Sequence, residues 1–269
     1  MSEKKGINLI QIAVLVSYLL MVVVNALANT LPINAITTGE VSDSFPNLFA
    51  PTGLTFSIWG LIYLLLAAYS VYQLGLFRQD SDAVKPQLFN SIGILFIISS
   101  LANTAWIFSW HYYSIGLSLA MMLVILVLLI AINIRVDREQ LSTREKLFVK
   151  LPFAIYFGWI TVATVANVTS LLVYEGWNRF GIAEQTWSVI IIAIGFLIGA
   201  VTTLRFKSIP YGLVIIWAYI GIWIRHTAPA GFSESYPAVI ATVIISIILM
   251  VAVLLFLIFK EKKRAVTVV

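Results

Sequence analysis

The chain has 269 residues, 61% of them hydrophobic and only 11% charged, with a mean hydropathy of +0.99. That balance excludes a soluble domain, and the absence of cysteine excludes disulfides, thiolate metal sites and thiol catalysis. The net charge of +5 does not signal nucleic-acid binding, because the basic residues sit in short segments between apolar runs, where they orient a membrane protein.

Runs of about 20 apolar residues, the length that crosses a hydrocarbon core, recur along the chain. They predict eight spans, at 7–29, 52–76, 88–109, 114–134, 148–173, 187–204, 209–224 and 237–259. Strict period-2 alternation is absent, which argues against a β-barrel. The first segment imitates a signal peptide, with Lys4, Lys5 and the small residues Ala26 and Ala28. Its apolar stretch exceeds the about 7–15 residues of a signal, so it reads as a span; cleavage there would leave seven helices. The seventh run is short for a crossing, but charge supports the count. With the N-terminus inside, fifteen basic residues fall on inner segments: Lys4, Lys5, Arg78, Lys85, Arg135, Arg138, Arg144, Lys146, Lys150, Arg205, Lys207, Lys260, Lys262, Lys263 and Arg264. Only Arg179 and Arg225 fall outside. This bias predicts cytoplasmic termini and a multi-pass protein of the plasma (inner) membrane.

Two loops stand out. The segment 30–51, with Pro32, Pro46 and Pro51, is longer than a connector needs. It reads either as a lid over the outer mouth or as a solvated link. The segment 135–146 reads as a solvated linker. The triplet Asn167–Val168–Thr169 matches a glycosylation site but lies within a span.

No Asp, Glu, Lys or Arg falls well inside any predicted span. Intramembrane ionisable groups mark proton relays and ion-coupled sites, so their absence counts against a coupled pump, and the lack of a mid-span lysine counts against a retinal protein. Metal ligands do not cluster, and His111 and His226 sit at span ends, as satisfied interface residues do.

Three spans nonetheless carry polar and aromatic rows. The fifth holds Trp159, Ala163 and Asn167, four residues apart and therefore on one stripe. The second holds Trp59 and Tyr63, and the third Ser99, Asn103 and Trp106. At a rise of 1.5 Å per residue, Trp59, Asn103 and Asn167 all lie about 9–10 Å below the outer surface. Aromatic walls with a few placed amides are how amphiphilic pockets are built. The same residues are also how helices are glued, since Asn bonds across helices and Ala permits close packing. Trp110, Trp177, Trp187 and Trp223 read as residues of the interfacial aromatic belt, and Trp217 as either core or lipid-facing.

These rows resemble the translocator-protein family, the tryptophan-rich sensory proteins (TspO/MBR). The family's second-helix Trp followed by Tyr is matched by Trp59 and Tyr63, after Pro51. Its third-helix Asn-x-x-Trp is matched by Asn103 and Trp106, and its fifth-helix Trp-x-x-x-Ala-x-x-x-Asn by Trp159, Ala163 and Asn167, after Pro152. Gly53 stands where members commonly carry a second Trp, and Ser57 where they tend to have Pro. The resemblance covers roughly 7–174. It implies an all-α integral membrane protein with a five-helix TspO-like core (1–174) and a three-helix C-terminal extension (175–269).

It further implies an aromatic pocket for a tetrapyrrole or sterol-like ligand. Trp59, Tyr63, Trp106 and Trp159 would form its walls, Asn103 and Asn167 its polar contacts, and Ala163 would allow close approach. The expected partners are membrane lipid and a porphyrin-type small molecule, with no nucleic acid; homodimerisation is expected by family, with Gly195 and Gly199 as a weak seam. The function expected is a non-enzymatic receptor or carrier. A facilitator or exporter using the last three helices, and a structural assembly partner without ligand, are the alternatives.

Overall fold

The structure, a computed structural model, describes residues 8–31, 33–75 and 86–267, with side chains to Lys260. Among the charges used to orient the chain, Lys4, Lys5, Arg78, Lys85 and the side chains of Lys262, Lys263 and Arg264 lie outside the described residues.

Eight helices among the described residues are long and apolar enough to cross a membrane. We number them α1 (Leu9–Thr30), α2 (Ile58–Tyr72, which with the 3-10 helix Gly53–Ser57 before it makes a 20-residue span), α3 (Pro86–His111), α4 (Ile115–Asp137), α5 (Leu151–Tyr174), α6 (Glu184–Phe206), α7 (Ile209–Thr227) and α8 (Pro237–Thr267). No strand occurs among the described residues. Each helix satisfies its own backbone, the condition for spanning hydrocarbon. The seventh, short in the sequence reading, reaches 19 residues because it runs on through Arg225, His226 and Thr227. Thus the chain is an all-α integral membrane protein with the eight spans expected.

Local chemistry sets the helix ends. Asn8 caps α1 in a reciprocal capping box with Gln11. Ser208 caps α7, whose second position is Pro210, and Lys207 in the left-handed region (φ 46) turns the chain sharply between α6 and α7. Before α5, a turn at Thr143–Glu145 capped by Ser142 leads into a wide π-turn, Lys146–Lys150. Its Leu151 N–H bonds the Lys146 carbonyl, five residues back. Pro152 follows at once. A proline has no N–H to give and its ring crowds the carbonyl four residues earlier, which a widened turn relieves.

The chain forms two compact units. Unit 1 comprises 1–41 and 59–156, and unit 2 comprises 42–58 and 157–269. In this division α5 contributes its residues through Tyr156 to unit 1 and the remainder to unit 2.

In unit 1, α1 packs on α3 and α3 on α4. The α1–α3 contact is close at Gly93, where a Cβ would stand 3.0 Å from Ile10. Tyr69, Phe96 and Phe153 meet edge to face at 4.7–5.6 Å and form the centre of the unit. Gln11 and Gln73 exchange hydrogen bonds with each other's backbone carbonyls, tying α1 to the end of α2.

In unit 2, α6, α7 and α8 pack mutually. Gly199 lies against Ile215 and Met250, Gly212 against Leu254 and Thr203, and Gly195 against the Tyr219 hydroxyl. The Gly195–Gly199 row considered as a dimer seam therefore faces the chain's own helices. Residues 45–50 are packed inward too: Phe45, Leu48, Phe49 and Ala50 are buried. Asn47 holds this segment in shape, accepting from the N–H groups of Phe49 and Ala50 and donating to the Phe45 carbonyl. This part of the long loop is a fixed wall, and the solvated-link reading does not describe it.

Candidate ligand-binding site

Four of the seven residues expected to bind ligand come together in unit 1. Trp59 and Tyr63, one helical turn apart on α2, stack with ring centroids at 5.4 Å and planes 18° apart. Trp59 also meets Trp106 of α3 at 6.2 Å and, edge on, Tyr156 of α5 at 6.0 Å. Trp106 stacks on Trp110 at 6.1 Å. The order Tyr63, Trp59, Trp106, Trp110 makes a continuous aromatic column, with Tyr156 against its middle.

Asn103 lies behind this column, fully buried. Its carboxamide oxygen accepts from Asn25 Nδ2 at 2.7 Å, and its Nδ2 donates to the Tyr156 hydroxyl at 3.2 Å. Asn25 Nδ2 also donates to the Met21 carbonyl. Asn103 thus spans three helices and sets the ring of Tyr156. An amide so placed in an apolar interior leaves little polar surface uncompensated.

Two polar atoms in the column are not compensated. The indole Nε1–H of Trp106 and the hydroxyl of Tyr63 are buried and have no hydrogen-bond partner among the described residues. Buried donors normally find one.

Trp159, Ala163 and Asn167 belong to unit 2 and are described with it. Trp159, 2% exposed, meets Phe56 edge on at 5.8 Å. Ala163 is half-buried and Asn167 buried. Around them α5 is held to α7: Phe157 packs on Tyr211 at 4.9 Å, the Tyr211 hydroxyl donates to Thr161, and Gly158 lies against Val214 and the Tyr211 carbonyl. Thr161, Thr164 and Thr169 each donate to the carbonyl four residues back, so their hydroxyls are satisfied within the helix.

Sequence reasoning missed Asn25 and Tyr156. Asn25 was legible as an amide deep in the apolar run of α1, one turn before Asn29; Tyr156 sits one turn before Trp159 and looks like any span aromatic. Trp110 is corrected: it is 5% exposed and donates to the Thr38 carbonyl, so it is a core residue and not a belt residue. Trp217 is half-buried and donates to the Thr55 carbonyl, which settles it on the interior side. His111 and His226 are both fully buried and bonded, His111 to Thr38 and the Ile33 carbonyl, His226 to the Leu48 carbonyl. Among the described residues, no three His, Asp or Glu side chains gather to hold a metal ion.

No curated protein and no solved structure matches the chain. The sequence model of a family described as TSPO-like protein matches residues 11–259. The match runs into α8 as far as residue 259, well past residue 174, so it takes in α6, α7 and most of α8. By that match, together with the Trp59–Tyr63 and Asn103–Trp106 rows already described, the chain belongs to the TSPO-like protein family.

Proposed function

We propose that this protein is a non-enzymatic membrane receptor or carrier for a flat, hydrophobic ligand of tetrapyrrole or sterol-like kind. Trp59, Tyr63 and Trp106 are its aromatic walls, and Asn103 is its amide through Tyr156. Trp159, Ala163 and Asn167 enter through the family pattern. The observation that carries this reading is the pair of uncompensated donors, Trp106 Nε1–H and Tyr63 O–H, within a column of stacked rings. A macrocycle can stack on indole and phenol faces while its peripheral acceptors meet those donors. The charge bias supports a plasma-membrane protein with cytoplasmic termini.

The purified full chain is titrated with protoporphyrin while tryptophan fluorescence is followed. Saturable quenching is expected, weakened about tenfold in Trp59→Ala, the loss of one stacking wall. The engagement of Asn103 with Asn25 and Tyr156 favours a second reading, in which the rows only hold helices together. Absence of saturable quenching by any tetrapyrrole or sterol would establish that reading instead.

A further inference from the structure

A cleft of about 510 Å³ lies wholly within unit 2. The segment 46–49, the 164–173 face of α5, the turn 176–179 and the 184–194 part of α6 line it. Its volume falls in the range of about 300–1,000 Å³ that holds compact ligands. Val165, Val168, Leu172 and Ile191 make it apolar along the helices.

The polar groups at the turn end are the informative ones. Most polar side chains in the lining are satisfied internally: Asn47 within its own loop, Thr164 and Thr169 on their helix, Ser188 on the Glu184 carbonyl. Three are not. The Nε–H of Arg179 and the Nε1–H of Trp187 are buried without a hydrogen-bond partner among the described residues. Glu184 also lines the cleft, and no ion pair joins it to Arg179 among the described residues. The cleft thus carries a guanidinium and a carboxylate that are not paired with each other. Beside them Trp177 and Trp187 lie 5.1 Å apart with planes at 45°. Indole faces attract a quaternary ammonium, and a nearby carboxylate adds to that attraction.

We propose that this cleft binds a zwitterionic single-chain amphiphile of the phosphocholine type. The phosphate oxygens accept from Arg179 and Trp187, the ammonium lies against Glu184 and the indoles, and the acyl chain follows Val165, Val168, Leu172 and Ile191. An anionic amphiphile would meet Glu184 with like charge, and a cationic one would leave the two buried donors unmet. This site is independent of the tetrapyrrole reading and would stand if that reading failed.

The test uses the full chain in maltoside detergent and a lysophosphocholine carrying a diazirine in its acyl chain. After irradiation, the labelled residues are mapped by mass spectrometry. Labelling is expected to saturate, to fall on 165–173 and 191–194, and to be competed by unlabelled lysophosphocholine but not by chain-free phosphocholine. The same chain on a phosphoglycerol head, or on a trimethylammonium head alone, should compete at least about tenfold less well, the effect of one lost charge-assisted contact. Arg179→Gln should weaken labelling by a similar factor, and Glu184→Gln should erase the preference for phosphocholine over phosphoglycerol. The head-group comparison needs no variant and so survives a variant that fails to fold. Non-saturating label spread over exposed positions such as Leu197, Val201 and Ile245 would mean boundary lipid only and would overturn the proposal, as would equal competition by all heads. Competition by phosphocholine without a chain would also overturn it, since the apolar wall would then have no part.

Discussion

Asn25 and Asn103 meet amide to amide at 2.7 Å between α1 and α3, both buried in the apolar interior of unit 1. The contact does two things. It cancels two carboxamides that would otherwise be costly at that depth, and it frees Asn103 Nδ2 to orient Tyr156 beneath Trp59. Asn25→Ala should therefore cost about 1–2 kcal/mol in chemical unfolding, because it leaves the Asn103 oxygen buried and unmet. The double variant with Asn103→Ala should cost less than the sum of the two, by about 0.6–1.7 kcal/mol, the coupling seen for such pairs between membrane helices. Strict additivity would mean that the pair contributes nothing as a pair.

The uncompensated donors make an opposite prediction for Tyr63 and Trp106. Tyr63→Phe keeps the stacked ring and deletes a buried hydroxyl without a partner. Stability should hold or rise by a few tenths to about 1 kcal/mol, since an unmet polar group is removed. Porphyrin affinity should nonetheless fall about five- to tenfold, the worth of one hydrogen bond to ligand. A loss of stability with unchanged affinity would point to a structural role for the hydroxyl.

The spans were legible because their physics is local. Twenty apolar residues and the alternation of basic segments suffice, and the seventh span was recovered despite its length. The α2 and α3 rows were legible because one turn of helix brings Trp59 to Tyr63, and Asn103 to the level of Trp106. What composition could not show is where a side chain's hydrogen bonds go. The row on α3 shows Asn103 as a candidate ligand contact, but not that Asn25, 78 positions away in sequence, donates to its oxygen. Trp110 looked like a belt residue because it sits near a helix end; its burial depends on the short helix Thr38–Asp43, whose carbonyl it caps. The packing of 45–50 was hidden for the same reason. A loop's polarity is visible in sequence, but the bonds Asn47 makes to its own backbone are not.

Glu40 supplies a prediction about pH. The Thr37 backbone N–H and hydroxyl both donate to its carboxylate, at 2.8 and 2.7 Å, and hold its pKa below the ordinary value of 4.5. A depressed carboxylate stabilises the fold above its unfolded value and loses that contribution as pH falls through the lower folded value. The signals of the Thr38–Asp43 helix in a pH titration by NMR should therefore shift with a midpoint below 4.5. In Glu40→Gln the transition should vanish. A midpoint above 4.5 would reverse the sign and remove the capping role.

Gly221 marks the closest approach in unit 2. The Thr52 N–H donates to the Gly221 carbonyl, and a Cβ there would collide with the Thr55 hydroxyl. Gly221→Ala should destabilise by about 1–3 kcal/mol, as overfilling a packed site does. Thr55→Gly removes the obstructing side chain and should recover much of that loss in the double variant; the Trp217 bond survives because it uses the Thr55 backbone carbonyl. Failure of this rescue would place the strain elsewhere along α7.

The end of α7 offers two polar contacts of very different worth to the same loop. Arg225 pairs with Asp43 at 3.0 Å, with 29% and 56% of the side chains exposed. One turn-position later, fully buried His226 donates to the Leu48 carbonyl at 2.9 Å and packs against Phe232 at 4.7 Å. Solvent screens the first pair and two flexible side chains must be ordered to form it, so Asp43→Ala should change stability by no more than about 0.5 kcal/mol. Losing His226 strips a buried carbonyl of its donor and opens space beside Phe232. His226→Ala should cost about 2–4 kcal/mol. Because Leu48 and its neighbours line the cleft of unit 2, His226→Ala should also weaken photolabelling at 165–173, while Asp43→Ala leaves it intact. Unfolding curves and labelling of the two variants side by side decide the matter. Equal effects would show that the exposed ion pair holds the loop as firmly as the buried imidazole does.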